Sequence, residues 1–92
     1  MHDERELPGE DLVRAGIADL ERGEVTVEAL LVSIGAPRLA ALGVELPVPL
    51  ADPEERLYDL LAEDDARAAH GRYNALVRRL VSYERAAGCL IC

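Results

Sequence analysis

The sequence predicts an all-α protein, a compact bundle of about four helices plus a short helical turn and a proline-containing extended strap. Apolar residues recur at spacings of three and four, and the clearest run spans 64–88. Capping residues or prolines precede such runs and glycines follow them, as expected at helix ends. The 92 residues suit a single helical domain with one core. We expect residues 1–6 and 89–92 to fray.

The first predicted helix runs from Glu10 to Arg22. Acidic residues in its first turn complement the positive end of the helix dipole. Glu10 and Arg14 are spaced for an ion pair on one helix face. Gly23 then provides the residue type that most often ends a helix. These signals together predict where this helix starts and stops.

The second predicted helix follows Thr26, whose hydroxyl can cap it. The run Val25–Ile34 is rich in β-branched residues, so a strand is the competing interpretation. Its apolar spacing of three, one and three favours a helix. Pro37 suits the first turn of a short third helix, which we place at Arg38–Leu42 and end at Gly43.

The next segment, Val44–Leu50, contains two prolines at alternate positions. This pattern excludes a helix and favours an extended strap across the core. A further helix is predicted over residues 53–63, with Asp52 as its cap and Pro53 at its first position. Glu55, three residues after Asp52, completes the pattern of a capping box.

The last predicted helix, Asp64–Gly88, is about 36 Å long and is expected to organise the fold. A break before it is favoured because three acidic residues in a row offer a new helix start. A globular chain of this length would be roughly 32 Å across, slightly shorter than the helix. Its inward residues form a seam with heptad spacing. These residues are Ala69, Tyr73, Leu76, Leu80, Tyr83 and Ala87.

Charge is divided unevenly along the chain. Residues 1–65 hold seventeen acidic residues and five arginines, whereas residues 66–92 hold one acidic residue and five arginines. The net charge of the whole chain is −8. A basic helix on an acidic body can dock internally or bind an anionic partner. The chain has no lysine, and this composition suggests a GC-rich bacterial genome. We expect a cytoplasmic protein with no membrane span and no signal peptide.

The proposed interaction surface is a ridge of arginines and valines on the long helix. Its residues are Arg72, Val77, Arg78, Arg79, Val81 and Arg85. A mixture of arginine and apolar area is typical of protein interfaces. We therefore expect a non-enzymatic interaction or regulatory domain that binds a protein partner or forms a homodimer. The part of the ridge toward Arg78–Cys92 is expected to stay uncovered in the isolated chain.

The alternative function is binding of an anion or nucleic acid through Arg72, Arg78, Arg79 and Arg85. The acidic total disfavours double-stranded DNA, which a negatively charged protein repels. His70 and Asn74 form a possible polar site at helical spacing. If the last two helices were continuous, Asp59, Glu63 and His70 would share a face, although their spacing matches no known zinc signature.

A second alternative is a thiol or metal protein that uses the terminal pair Cys89 and Cys92. The pair follows a helix, so it lacks the helix N-terminus that lowers a thiol pKa in redox sites. As a metal half-site it would need two more ligands. The phosphate-loop, dinucleotide, zinc-protease and serine-hydrolase motifs are absent. We therefore expect no enzyme activity and no cofactor.

Overall fold

The computed structural model describes the backbone of residues 7–91 and the side chains of residues 7–89. Within this range the chain is all-helical and contains no strand. The helices are α1 Glu10–Glu21, α2 Val27–Ile34, α3 Ala36–Ala41, α4 Pro53–Asp64 and α5 Ala69–Ile91. The predicted all-α fold is thus confirmed, while the expected fraying of residues 1–6 lies outside the described residues.

Local signals place the ends of α1 and α2 as expected. Gly23 has a φ of 72° directly after α1, which is the left-handed conformation that glycine tolerates best. The predicted pair of Glu10 and Arg14 is present as a salt bridge. At the start of α2, the Thr26 hydroxyl accepts a hydrogen bond from the Ala29 backbone N–H at 3.0 Å. The strand interpretation of this run is wrong.

Helix α2 is the centre of the molecule. Residues 29–33 are all buried, and α2 contacts every other helix. The prediction that the long C-terminal helix organises the fold is therefore wrong. A short helix that is apolar on nearly all sides is stable only when other elements surround it. The amphipathic α1, α4 and α5 provide this cover.

The strap after α3 is an ordered extended segment, as predicted. Val44, Leu46 and Leu50 pack against the core, whereas Val48 is 87% exposed. The Leu50 N–H donates to the buried Ser33 hydroxyl at 2.9 Å, and this hydroxyl donates to the Ala29 carbonyl at 2.8 Å. These two hydrogen bonds, a relay through the Ser33 hydroxyl, hold the strap against α2.

Helix α4 begins at Pro53 as expected, but the predicted cap is wrong. Asp52 has φ 48° and ψ 49°, and its side chain makes no capping hydrogen bond. A capping side chain usually requires extended backbone at that residue, and this left-handed conformation does not provide it. The Asp52 carbonyl still accepts the first helical hydrogen bond, from the Arg56 N–H at 3.1 Å.

Helices α4 and α5 are separated by a turn at residues 65–68. The Asp65 carboxylate accepts hydrogen bonds from the backbone N–H groups of Arg67 at 3.1 Å and Ala68 at 3.3 Å. Asp65 itself is extended, with φ −155°. The long helix therefore begins five residues later than the predicted Asp64, although the predicted break is confirmed.

The seam of α5 faces inward as expected. Ala69 and Leu80 are buried, and Tyr73, Leu76 and Tyr83 pack partly buried against the core. The molecule measures 38 × 26 × 25 Å, so α5, about 34 Å long, runs along most of its longest dimension. Within the described range, no helix combines the length and the apolar character that a bilayer span requires.

Candidate functional site

The six residues of the predicted ridge occupy different environments on α5. Arg72, Arg78, Arg79 and Arg85 are exposed, whereas Val77 and Val81 are partly buried. Val77 packs against the core cluster of its own chain. The apolar part of the expected surface is therefore smaller than its sequence suggests, and arginine supplies most of the outward side of the ridge.

Two of these arginines form ion pairs within the chain. Arg72 donates to Asp64 at 2.7 Å, and Arg79 donates to Asp11 at 2.9 Å. Both pairs join exposed side chains, for which a contribution of roughly 0–1 kcal/mol is typical. The first pair crosses the turn between α4 and α5, and the second links α1 to α5. The basic helix thus docks partly on the acidic body.

The other two arginines are available to a partner. Arg78 and Arg85 are exposed and lie seven residues apart, so they occupy the same side of the helix. Neither has an ion-pair partner among the described residues. Small exposed residues, including Ala75 and Ser82, lie on neighbouring positions. The outward face of α5 therefore carries two arginines that have no ion-pair partner among the described residues.

The end of α5 is not free on every side. A Cβ atom added to Gly88 would lie 3.7 Å from the Leu42 side chain, so the final turns of α5 pack beside the end of α3. The expectation of an uncovered end therefore applies to the outward face alone. The side chains of residues 90–92 lie outside the described residues.

A cleft adjoins the arginines on one flank of α5, and we call it the arginine groove. Its volume is about 460 Å³, and it opens between α2, α4 and α5. Its lining consists of Val27, Glu28, Leu61, Arg72, Ala75, Leu76 and Arg79. No sequence pattern indicates this cleft, because its walls come from three separate helices whose relative positions are set by tertiary packing.

Glu84 lies on the inward flank of α5, over the junction of α2 and α3. Its Oε2 atom would lie 3.0 Å from a Cβ atom added to Gly35, so the absence of a side chain there makes room for the carboxylate. Burial raises the pKa of Glu84, and the nearby Arg38 opposes part of this increase. Tyr73 also has a raised pKa, because of its burial and then because of the negative charge of Glu54.

The possible polar site is present as a contact on the surface. Asn74 Nδ2 lies 3.2 Å from His70 Nε2, and both side chains are exposed. The proposed face of Asp59, Glu63 and His70 does not form, because the turn at residues 65–68 interrupts the helix. In the described part of the chain, no group of three or more histidine, cysteine or acidic side chains is placed to hold a metal ion.

Cys89 is exposed on α5 and forms no disulfide with any described residue, whereas Cys92 lies outside the described residues. The pairing of the two cysteines therefore stays a hypothesis of the sequence.

A second cleft, of about 420 Å³, lies under the strap. Its lining is Ser33, Ala36, Pro37, Ala40, Leu46, Pro47, Pro49, Leu50 and Pro53. Almost all of these residues are apolar, and the Ser33 hydroxyl is already occupied by the relay to Leu50.

Comparison of the chain with protein-family models, with curated proteins and with solved structures finds no match.

Proposed function

We propose that this chain is a non-enzymatic protein-interaction domain that acts through the outward face of α5. The observation that carries the proposal is the pair Arg78 and Arg85, exposed on one side of the helix and without an ion-pair partner among the described residues. Arginine is enriched at protein interfaces because its planar guanidinium binds carboxylates in a fixed geometry. The small exposed residues beside them, Ala75 and Ser82, allow another backbone to approach closely.

The partner surface has to supply carboxylates. This chain has a large excess of them before residue 66, so a second copy is one partner of the right chemistry. In a two-fold symmetric dimer, each copy would place its α5 face against an acidic surface of the other. Self-association is therefore the first form of the proposal to test. We place the domain in a bacterial cytoplasm, on the composition described above.

Sedimentation equilibrium of the purified chain tests this proposal. Association at micromolar concentrations is expected, and Arg78→Glu or Arg85→Glu should weaken it by about tenfold or more, as loss of an interface arginine commonly does. Arg67→Glu is the matched control. It makes the same charge change at an exposed arginine in the turn before α5, which also has no ion-pair partner among the described residues.

Two results would contradict the proposal in its homodimer form. One is a molecular mass equal to that of the monomer at protein concentrations up to about 1 mM, which excludes self-association of any useful strength. The other is an equal loss of association in the Arg67 control, which would indicate a general charge effect. Helicity measured by circular dichroism should be the same in all three variants, because these arginines make no described contact with the core.

Binding of phosphate groups is the second candidate, since the same two arginines can bind phosphates. Titration with an RNA oligonucleotide at increasing salt separates the two functions. Phosphate contacts produce a steep, linear loss of log affinity with log salt concentration, with a slope of about −0.7 for each neutralised phosphate of a single strand. Binding that is absent at low salt would eliminate this candidate.

A further inference from the structure

Helix α4 carries the largest group of unpaired acidic residues in the part of the chain that the structure describes. Four of its carboxylates are exposed and form no ion pair with a described residue. They are Glu54, Glu55, Asp59 and Glu63. On α1, in contrast, three acidic residues already pair with arginines. Helix α4 is therefore the element with the most carboxylates still available to a partner.

Three of these carboxylates form a continuous ridge. Glu55, Asp59 and Glu63 are spaced four residues apart, so they follow one another along one side of α4 over about 12 Å. We call them the α4 acidic ridge. Arg56 is the one basic residue of α4, and its Nη1 donates to the Ala51 carbonyl at 3.1 Å, at the start of the helix. Even with this guanidinium counted against three carboxylates, the ridge keeps two uncompensated negative charges.

Apolar surface lies beside the ridge. A cleft of about 230 Å³ opens between α4 and α2. Its lining is Val25, Leu30, Arg56, Asp59, Leu60 and Glu63. An arginine side chain packs its methylene groups on apolar surface while its guanidinium binds a carboxylate. The cleft offers both kinds of contact to an arginine that approaches from outside.

The outward face of α5 carries the complementary charges. Arg78 and Arg85 are about 10 Å apart along the helix axis, which is close to the length of the ridge. Neither forms an ion pair with a described residue. Glu84, the one acidic residue in the sequence of α5, is half-buried on the inward flank. The two arginines are therefore not neutralised within their own helix.

We propose that the outward face of α5 binds the α4 acidic ridge of a second copy of this chain. The proposal rests on the proposed function, because it identifies the surface that the unpaired arginines meet. Two-fold symmetry forms this contact twice, since α5 of each copy then binds α4 of the other.

The arrangement of α4 and α5 within one copy suits such a dimer. The two helices pack against each other, and the rings of Tyr58 and Tyr73 lie 5.9 Å apart between them. The acidic and basic surfaces thus belong to neighbouring elements. Tyr58 is exposed on α4, and tyrosine is one of the residues enriched in the cores of protein interfaces.

Charge reversal tests the two sides of the contact separately. Arg78→Glu with Arg85→Glu gives an α5-reversed chain, and Asp59→Arg with Glu63→Arg gives an α4-reversed chain. Either chain alone brings like charges together at both contacts of the dimer. We expect each to self-associate about tenfold or more weakly than the unaltered chain. All four side chains are exposed, so helicity by circular dichroism should be unchanged.

Mixing the two reversed chains is the decisive measurement. In the mixed dimer, one contact has the native charges and the other has the same pairing with its signs exchanged. By sedimentation equilibrium, we expect the mixture to associate about tenfold or more tightly than either reversed chain alone. Misfolding of a variant cannot produce this gain.

The matched control chain carries Glu21→Arg and Glu45→Arg. Both residues are exposed, lie outside α4 and form no ion pair with a described residue. The control chain has the same net charge as the α4-reversed chain, so long-range repulsion is equal in both mixtures. It should self-associate like the unaltered chain, and it should bind the α5-reversed chain about tenfold more weakly than the α4-reversed chain does.

A milder variant keeps the test valid if a reversed chain fails to fold. Asp59→Asn with Glu63→Gln removes the attraction without adding positive charge, and it should weaken self-association by about threefold or more. Unchanged self-association of this variant would overturn the proposal. Equal binding of the α5-reversed chain to the α4-reversed and control chains would also overturn it, because it would indicate a general charge effect.

The outcome for α4 can be distinguished from the outcome for the proposed function. If the α5-reversed chain dissociates while the α4-reversed chain associates like the unaltered one, α5 is the interaction surface and α4 is not its partner. If the α5-reversed chain associates like the unaltered one, the proposed function is wrong as well. An unaltered chain that stays monomeric up to about 1 mM overturns this proposal and the homodimer form together.

Discussion

Helices α1 and α2 approach each other so closely at Gly16 that even a methyl group should not fit. A Cβ atom at this position would lie 2.4 Å from the Glu28 carbonyl oxygen and 2.4 Å from a methyl carbon of Val32. Because the first of these is a backbone atom of the central helix, relief would require α1 to move away from α2. Gly16→Ala should therefore destabilise the fold, although alanine is the better helix former.

The size of this effect follows from two opposing terms. Replacing an interior glycine of a helix by alanine gains about 1 kcal/mol from intrinsic propensity. Overpacking a close contact costs about 1–3 kcal/mol, and contact with backbone places this site toward the upper end. We expect a net loss of about 1–2 kcal/mol in the free energy of unfolding. For a domain of this size, each kcal/mol corresponds to about 4–8 °C in Tm.

The matched control is Gly71→Ala on α5. Gly71 is exposed and helical, and a Cβ atom there would meet nothing within 4 Å. It should show the propensity gain alone, about 0.5–1 kcal/mol. Urea unfolding followed by circular dichroism measures both variants, and an unchanged m-value would show that the two-state comparison holds. If Gly16→Ala is as stable as Gly71→Ala, the close packing of α1 on α2 is refuted.

Two further predictions test the inner face of α5 and the strap. Because burial raises the pKa of Glu84, its favourable contribution is complete below the unfolded pKa of about 4.3 and is lost as pH rises through the higher folded value. Glu84→Gln should therefore stabilise the chain at pH 7 but not at pH 4, and an equal urea midpoint shift at both pH values would contradict this. Ser33→Ala leaves the Leu50 N–H without its acceptor and should cost about 1–3 kcal/mol. Hydrogen exchange at Leu50 should accelerate, and unchanged protection would show that the strap is held by other contacts.

Sequence reasoning succeeded where the controlling chemistry is local. Thr26 caps α2 through its own hydroxyl, Gly23 ends α1, and Pro53 begins α4 because its ring fixes a helical φ. The prediction that Asp52 caps α4 also rested on a local pattern, and it is wrong. The residue type of Asp52 fits a cap, but the turn between the strap and α4 imposes a left-handed backbone that directs the side chain elsewhere.

The candidate site was predictable only in part. Heptad spacing correctly assigned the inward seam of α5 and identified its exposed arginines. Spacing along one helix does not reveal which acidic residues other elements bring near. The sequence therefore does not indicate that Arg79 forms an ion pair while Arg78 has no ion-pair partner in the described part of the chain. Asp11, the partner of Arg79, lies 68 residues earlier in the chain.

The helical class, most helix ends and the apolar side of each amphipathic helix could be predicted from the sequence, because these depend on residues within one or two turns of each other. The central position of α2 and the groove beside α5 depend on tertiary packing and have no counterpart in the sequence pattern. Both follow from how the five helices share a limited apolar surface. The most apolar segment becomes the centre, while the long helix remains at the surface with its charged side exposed.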